Sequence, residues 1–467
     1  MAKAASGDNP HTSAIAEFVA GLRYEAIPPE VVGRLKLLIL DALGCAIYAA
    51  KLPWSRLLLE ALEAVDTSRG AAVWGTASRL SAPHAALVNG TLVQGFELDD
   101  VHRLGVLHVG AVTLPPLVAV AETRPGMSGR DFLRAALAGY EVGPRVGLCM
   151  GPQHIAQGWH SGATVGVFAA AAAACAALRL PPERVVHALG IAGTQAAGLM
   201  AAQYGAMVKR MHAGRSAQSG LYGALLAERG FTGIVDVFES AYGGFCTTFS
   251  RSADGFDLAA LSAGLGERFE TMRVFLKFYA CNASVHSTLD VLKEMRARRP
   301  FAADEVERIH VRASRATAEH VGWRYRAEGL TAAQLNLPFC VATLLLEGDV
   351  FVAQFDEAAV HDPTRMALAG RVEVAEDPAI TARGATFRHM VHVEVRLKDG
   401  TVLAETIEAP RRNEHRFAAE ADIVEKFRKL ADGRLPPGQA DRLVELTLGL
   451  DEATTVDPLI AALAVPG

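Results

Sequence analysis

The chain has 467 residues, 51% of them hydrophobic, and a formal net charge of -5. That length and apolar content suit a globular protein with a large buried core and about two to three domains. A mild negative charge offers no overall attraction to nucleic acid or an anionic membrane, so anion binding must come from local clusters, which suits a small acidic ligand.

The first stretch, MAKAASGDNPHTSAIAEFVAGL, is a polar arm leading into an apolar segment, without the basic-then-apolar order of a secretory signal. A cytoplasmic protein is expected. From about Thr12 to Ala263, Ala- and Leu-rich segments with helical spacing alternate with punctuation at Pro28-Pro29, Pro115-Pro116 and Pro181-Pro182. "PPEVVGRLKLLILDALGCAIYAA" and "LPPERVVHALGIAGTQAAGL" both place proline where a first helical turn tolerates it. Side chains of such low bulk predict a compact many-helix bundle. Residues 163–178 are uncharged but short, and 189–208 carry Thr194, Gln195, Gln203, Tyr204 and four glycines, so buried bundle helices are expected rather than membrane spans.

The texture changes near Phe275. "VERIHVRAS" and "HMVHVEVRLKDGTVLAETIEAP" alternate with period two, and Lys398-Asp399-Gly400 between two such runs predicts a hairpin. After Pro410, "AEADIVEKFRKLADG" and "ADRLVELTLGLDEA" return to amphipathic helical spacing. The predicted fold is therefore mainly α. A large helical domain is built from residues 1–272 and 409–467, with a smaller α+β domain at 273–408 inserted between them.

Cys45, Cys149, Cys175, Cys246, Cys281 and Cys340 include no C-x-x-C pair, so free buried thiols are expected rather than a disulfide framework, an iron–sulfur cluster or a structural zinc site. Chemistry gathers elsewhere. "GFELDDVHRLGVLHVGAVTLPP" carries Glu97, Asp99, Asp100, His102 and His108 in what reads as a surface loop. Its histidines suit carboxylate binding or proton transfer, and its acids suit orienting them or capping a helix. "HIAQGWHSGATVG" sets His160 and Ser161 at the head of an uncharged helix, where free N–H groups face outward.

"MVKRMHAGRSAQSG" packs Lys209, Arg210, His212 and Arg215 behind some twenty uncharged residues, so these cations are expected to end a buried helix pair at a cleft. His286 in "KFYACNASVHSTLD" follows Lys277 and Tyr279 near the expected domain junction. Carboxylates, histidines and a lysine without metal-ligand spacing point to proton abstraction beside a carboxylate, followed by elimination or reprotonation. No G-x-S-x-G elbow, Walker loop or dinucleotide fingerprint supports a hydrolase, NTPase or dehydrogenase.

"LDALGCAIYAA", "NGTLVQGFELDDVH", "LHVGAVTLPPLVAVAE", "GYEVGPRVG", "GWHSGATVGVFAAAAAA", "ALGIAGTQAAGL", "KRMHAGRSAQSGLYGALLA" and "CNASVHSTLD" together resemble the MmgE/PrpD superfamily. That group includes 2-methylcitrate dehydratase, cis-aconitate decarboxylase and iminodisuccinate epimerase. The resemblance implies a lid-like inserted domain, a homodimer, and a cleft site with no metal and no cofactor. It places His108, His160, Lys209 and His286 in catalysis, with Glu97, Asp99, Asp100, His102, His212, Arg215 and Phe339 around the substrate.

Glu97 and Val101 stand where the decarboxylase branch has Asp and Thr, the loop before His108 is one residue longer, and Phe339 takes the place of a Tyr whose hydroxyl could donate a proton. The expected activity is a lyase or isomerase acting on a small di- or tricarboxylic acid, led by dehydration of a 2-methylcitrate-like hydroxy acid. Epimerisation of an iminodisuccinate-like acid, decarboxylation of cis-aconitate and non-catalytic carboxylate binding are the alternatives. The sequence leaves open which His or Lys is base and which is acid.

Overall fold

The computed structural model describes residues 8–413 and 415–465. The first seven residues of the expected polar arm, and the outermost limits of the expected domains at 1 and 467, lie outside the described residues.

The helical part runs through α1 (Pro10–Gly21), α2 (Pro29–Ala49), α3 (Pro53–Glu63), α4 (Ala82–Val93), α5 (Val109–Thr123) and α6 (Gly129–Met150). It continues with α7 (Gln153–Ala156), α8 (Ser161–Thr164), α9 (Gly166–Ala177), α10 (Pro182–Gly193) and α11 (Val208–Glu228). Proline opens α2 and α10 at the positions expected, where its missing N–H would have had no helical partner anyway. Helix α9, GVFAAAAAACAA, is buried on every side by α5, α6, α10 and α11, which explains a run without any polar face.

Small residues let these backbones touch. A Cβ on Gly214 of α11 would lie 2.0 Å from the Leu87 carbonyl oxygen of α4, and one on Gly90 would lie 2.7 Å from Gly214 Cα. Among the described residues, no helix is long and apolar enough to cross a membrane.

Part of the apolar stretch expected as buried helix is not helical. Helix α10 stops at Gly193, and 194–207 form a loop with a 3-10 turn at Met200–Tyr204, leaving Leu199 62% and Tyr204 53% exposed. Gly205, at φ 123°, ends that turn, so a new helix begins at Val208. The cations expected to close a helix pair instead occupy the first two turns of α11.

The strands are few. β1 (Ala71–Ala72) pairs with β2 (Arg79–Leu80), and β3 (Val101–His102) pairs with β4 (Val274–Phe275), stitching the acidic loop to the start of the α+β part. A four-stranded sheet follows in the order β6-β5-β7-β8, from β5 (Val306–Ala313), β6 (Val372–Glu376), β7 (Val391–Leu397) and β8 (Val402–Ile407). β5 runs parallel to β6 and antiparallel to β7. The β7–β8 hairpin turns at 398–400, with Gly400 at φ 87°.

Alternate side chains Val391, Val393 and Val395 enter a second hydrophobic cluster with Val285, Leu289 and Leu292 of the helix Ala283–Arg298. Cys45, Trp54, Phe96 and Leu98 from the helical part join that cluster. The helix Glu420–Ala431 comes back onto α2, placing Ile423 and Phe427 in the first cluster. Its Lys426 donates to Asp41 Oδ1 at 2.5 Å and to the Leu98 carbonyl at 2.7 Å. All six cysteines are free and buried.

Gly214→Ala forces α4 and α11 apart and is expected to lower stability by about 1–3 kcal/mol or more, read from denaturant unfolding.

Candidate active site

The stretch 94–108 between α4 and α5 was expected at the surface, but it is buried. Glu97, Asp99 and Asp100 are each 1% exposed or less, because the loop lies where the two hydrophobic clusters meet. Buried carboxylates need counter-charge, and the cations that looked like a helix face supply it. Lys209 donates to Glu97 Oε1, joined there by Arg210 Nη1 at 3.1 Å. Lys277 reaches Glu97 Oε2 at 3.1 Å and the Glu97 carbonyl at 3.2 Å.

Burial opposes ionisation of Glu97, but Lys209, Lys277, His108 and Arg210 outweigh it and hold the carboxyl well below the usual carboxylate range. Glu97 also sits at φ 55°, a left-handed conformation that side chains rarely adopt. Arg210 extends the network to Gln334 Oε1 at 2.6 Å, and Gln334 in turn donates to the carbonyls of Phe96 and Ala280.

In front of this network lies a cavity between the helical and α+β parts, lined by His108, His160, Lys209 and Lys277, among others. His108 immediately precedes α5, and its Nδ1 meets Asp99 Oδ2 at 2.9 Å. The carboxylate accepts, so Nδ1 carries a proton, and in the neutral form of the ring the lone pair lies on Nε2. His160 precedes α8, with its Nδ1 3.1 Å from His212 Nδ1. Burial first, then Lys209, His212 and His108, hold His160 well below its usual value, so its ring is neutral. His212 is lowered to about 4 by burial and Lys209. Burial also lowers Lys209, against the pull of Glu97, whereas in Lys277 Glu97 and Asp99 overcome burial and raise it.

The other sequence candidates take different places. Asp100 faces away, accepting from Gly110 N at 2.9 Å and Tyr140 Oη at 2.8 Å. His102 accepts from Gly105 N at Nδ1, so its Nε2 carries the proton to Glu270 Oε2 at 3.0 Å. His286 stands behind the cavity wall, edge-on to Tyr279 at 5.1 Å, with its Nε2 unpartnered among the described residues; burial and Lys277 lower it to about 3.

Two expectations for substrate contact do not match the geometry. Arg215 is exposed and donates to Gln218 on its own helix, because its position on α11 faces away from the cluster. Phe339 is fully buried in the second hydrophobic cluster, 4.6 Å from the Tyr325 ring, and does not line the cavity. Sequence reasoning missed Arg103, His320, Arg388 and His389, all of which line it. The one available signal was the pair Arg388-His389 immediately ahead of a period-two run. Among the described residues, no group of three or more His, Cys, Asp or Glu is placed to hold a metal ion.

The MmgE/PrpD N-terminal domain family matches residues 13–256, and the MmgE/PrpD C-terminal domain family matches residues 279–452. The chain belongs to the MmgE/PrpD family. It is 33% identical to the cis-aconitate decarboxylase-like protein oryM of Aspergillus oryzae, over 97% of both chains. It is 32% identical to a cis-aconitate decarboxylase of Aspergillus terreus, over 97% of this chain and 96% of that one. A 2-methylcitrate dehydratase of Cupriavidus necator is 35% identical over 122 residues, 25% of each chain. A lyase-type enzyme, expected from the sequence, is supported at the level of the family.

Two outcomes follow from the site's electrostatics. Glu97→Gln leaves Lys209, Arg210 and Lys277 without their shared carboxylate and is expected to cost about 3–5 kcal/mol in denaturant unfolding. Asp100 is raised from its ordinary 3.8 to about 7, by burial first and then by Asp99. Between those values the unfolded chain gives up this proton and the folded chain keeps it, so stability falls as pH rises, by about 1 kcal/mol per pH unit. Melting curves of Asp100→Asn at pH 4 to 7 should show a shallower decline than wild type.

Proposed function

We propose that the protein is a lyase that transfers a proton at the carbon next to a carboxylate of a small polycarboxylic acid, with a 2-methylcitrate-like hydroxy acid as the leading substrate type. The observation that carries this reading is the charge of the cavity. Lys209, Lys277, Arg103 and Arg388 line it, while the nearby carboxylates Glu97 and Asp99 lie set back behind Lys209 and His108. Cations on the wall of such a space favour an anionic substrate over a neutral one.

His108, oriented by Asp99, takes the proton from carbon on its Nε2. The electron pair moves into the adjoining carboxylate, where Lys209 and Lys277 stabilise the growing negative charge. The pair then forms the carbon–carbon double bond as the β-hydroxyl leaves, taking a proton from the Lys209 ammonium and departing as water. Burial makes Lys209 a stronger acid than a free lysine, which suits it to that donation. His160, held neutral, hydrogen-bonds the substrate without adding charge.

Decarboxylation of a cis-aconitate-like acid is the second reading, favoured by relatives that match nearly the whole chain. Phe339 no longer counts against it, since a hydroxyl at a position outside the cavity would deliver no proton there. In that case a protonated group delivers its proton to carbon as the carbon–carbon bond to departing carbon dioxide breaks. Under either reading a cytoplasmic homodimer is proposed, and light scattering on purified protein measures its oligomeric state.

Proton NMR in deuterium oxide with 2-methylcitrate, citrate, cis-aconitate and iminodisuccinate tests the proposal. A new alkene from a hydroxy acid is expected. Carbon dioxide release would select the decarboxylase, deuterium exchange alone would select an epimerase, and silence across the panel would remove the polycarboxylate lyase. On an active substrate, Lys209→Ala and His108→Asn should each lower kcat by about 10²- to 10⁴-fold.

A further inference from the structure

Among the described residues, one guanidinium on the α+β side of the cavity pairs with no carboxylate. Arg388 lies between the 3-10 turn Ala385–Phe387 and β7. Its backbone is fixed, because its carbonyl accepts from Ser314 Oγ and Thr317 Oγ1, both at 2.7 Å. Ser314 also caps the helix Arg315–Val321, which carries His320. Since Ala313 pairs with Val391, the ends of β5 and β7 bring these two segments together.

Arg388 Nη2 then donates to His320 Nδ1 at 3.0 Å. A guanidinium cannot accept a hydrogen bond, so His320 Nδ1 holds the lone pair and the proton sits on Nε2. Among the described residues that Nε2 has no partner, and neither does Arg388 Nε. Burial first, and then the neighbouring cation Arg103, lower the guanidinium to about 10, still charged at neutral pH. Burial and Arg388 lower His320 to about 3, so its ring is a neutral donor.

We propose that Arg388 and the Nε2–H of His320 form a second anion subsite, in the cavity that Lys209 and Lys277 also line, which takes the third carboxylate of a tricarboxylate. This rests on the polycarboxylate reading above. A half-buried cation with a fixed backbone beside an unused N–H donor matches the two oxygens of a carboxylate, and a guanidinium adds directional hydrogen bonds to its charge. A dicarboxylate occupying the Lys209 and Lys277 side leaves this pair unanswered, so the subsite selects for the third carboxylate. Arg388 and His320 are specificity residues in this assignment, distinct from the proton-transferring His108 and Lys209.

Calorimetric titration with tricarballylate, which has three carboxylates and no hydroxyl to lose, and with glutarate, which lacks the central carboxylate, tests it on the full chain. Wild type should bind tricarballylate about 10- to 100-fold more tightly than glutarate. Arg388→Gln should abolish that preference while binding glutarate within about 2-fold of wild type. His320→Leu should reduce it, and His320→Gln, whose amide both accepts from Arg388 and donates to the ligand, should restore it. Circular dichroism and melting temperature check that each variant folds, and the His320 pair keeps the test intact if Arg388→Gln does not. An undiminished preference in Arg388→Gln, or in a folded His320→Leu, overturns the subsite alone. Failure of wild type to bind either acid overturns the polycarboxylate reading and the subsite with it.

Discussion

The buried carboxylate of Glu97 is the constraint on which the site depends. It gathers Lys209 and Arg210 from the start of α11 and Lys277 from the segment after β4, and so ties the helical bundle to the chain entering the α+β part. A carboxylate taken from water without partners would be prohibitively costly, and so would three cations. Placed together they hold one another in the charged state, and their directions fix the wall of the cavity. The left-handed backbone at Glu97 is tolerable for the same reason, since relaxing it would pull the carboxylate from all three partners.

The bundle around it supplies rigidity through close backbone approach rather than bulky side chains. Gly90 against Gly214, and Gly220 against Ala170, bring α4, α9 and α11 to distances at which one methyl group would not fit. Dense packing of this kind transmits position, so the residues that open α5 and α11 are held as firmly as the core. His108 and Lys209 are placed by that packing. The returning helix adds a second tie, with Lys426 bonded to both Asp41 of α2 and the Leu98 carbonyl of the acidic loop.

Much of the architecture was legible because local rules and global packing agree. Proline-opened helices, the 398–400 hairpin and the helical return after residue 410 follow from turn chemistry and periodicity. The acidic loop and the basic cluster were legible as chemistry but not as partners, since sequence spacing carries no distance between Glu97 and Lys209, 112 positions apart. The same limit hid the destinations of His102 and Asp100, which look identical in the sequence to the site groups but are used by Glu270, Tyr140 and Gly110. Arg388 and His320 were hidden as partners for a further reason. They lie 68 positions apart in polar surroundings that read as ordinary turn and helix surface, and only the meeting of β5 and β7 joins them.

Several unpartnered buried polar atoms lie at or beside the cavity. Asp99 Oδ1, His286 Nε2, His320 Nε2, Arg388 Nε and His389 Nδ1 make no hydrogen bond within the described residues. An atom of this kind left dry costs about 1–3 kcal/mol, against the roughly 5–15 kcal/mol that keeps a domain folded. A packing that served stability alone would have replaced them with apolar side chains or paired them. Their persistence needs a surround stable enough to tolerate them, and the glycine-tight bundle is that surround. The same atoms favour an anion over a neutral guest, because most of those on the α+β wall belong to donors or cations. Rigid packing of the bundle thus lets unpaired donors and a cation persist on the cavity wall, where a polycarboxylate would meet them.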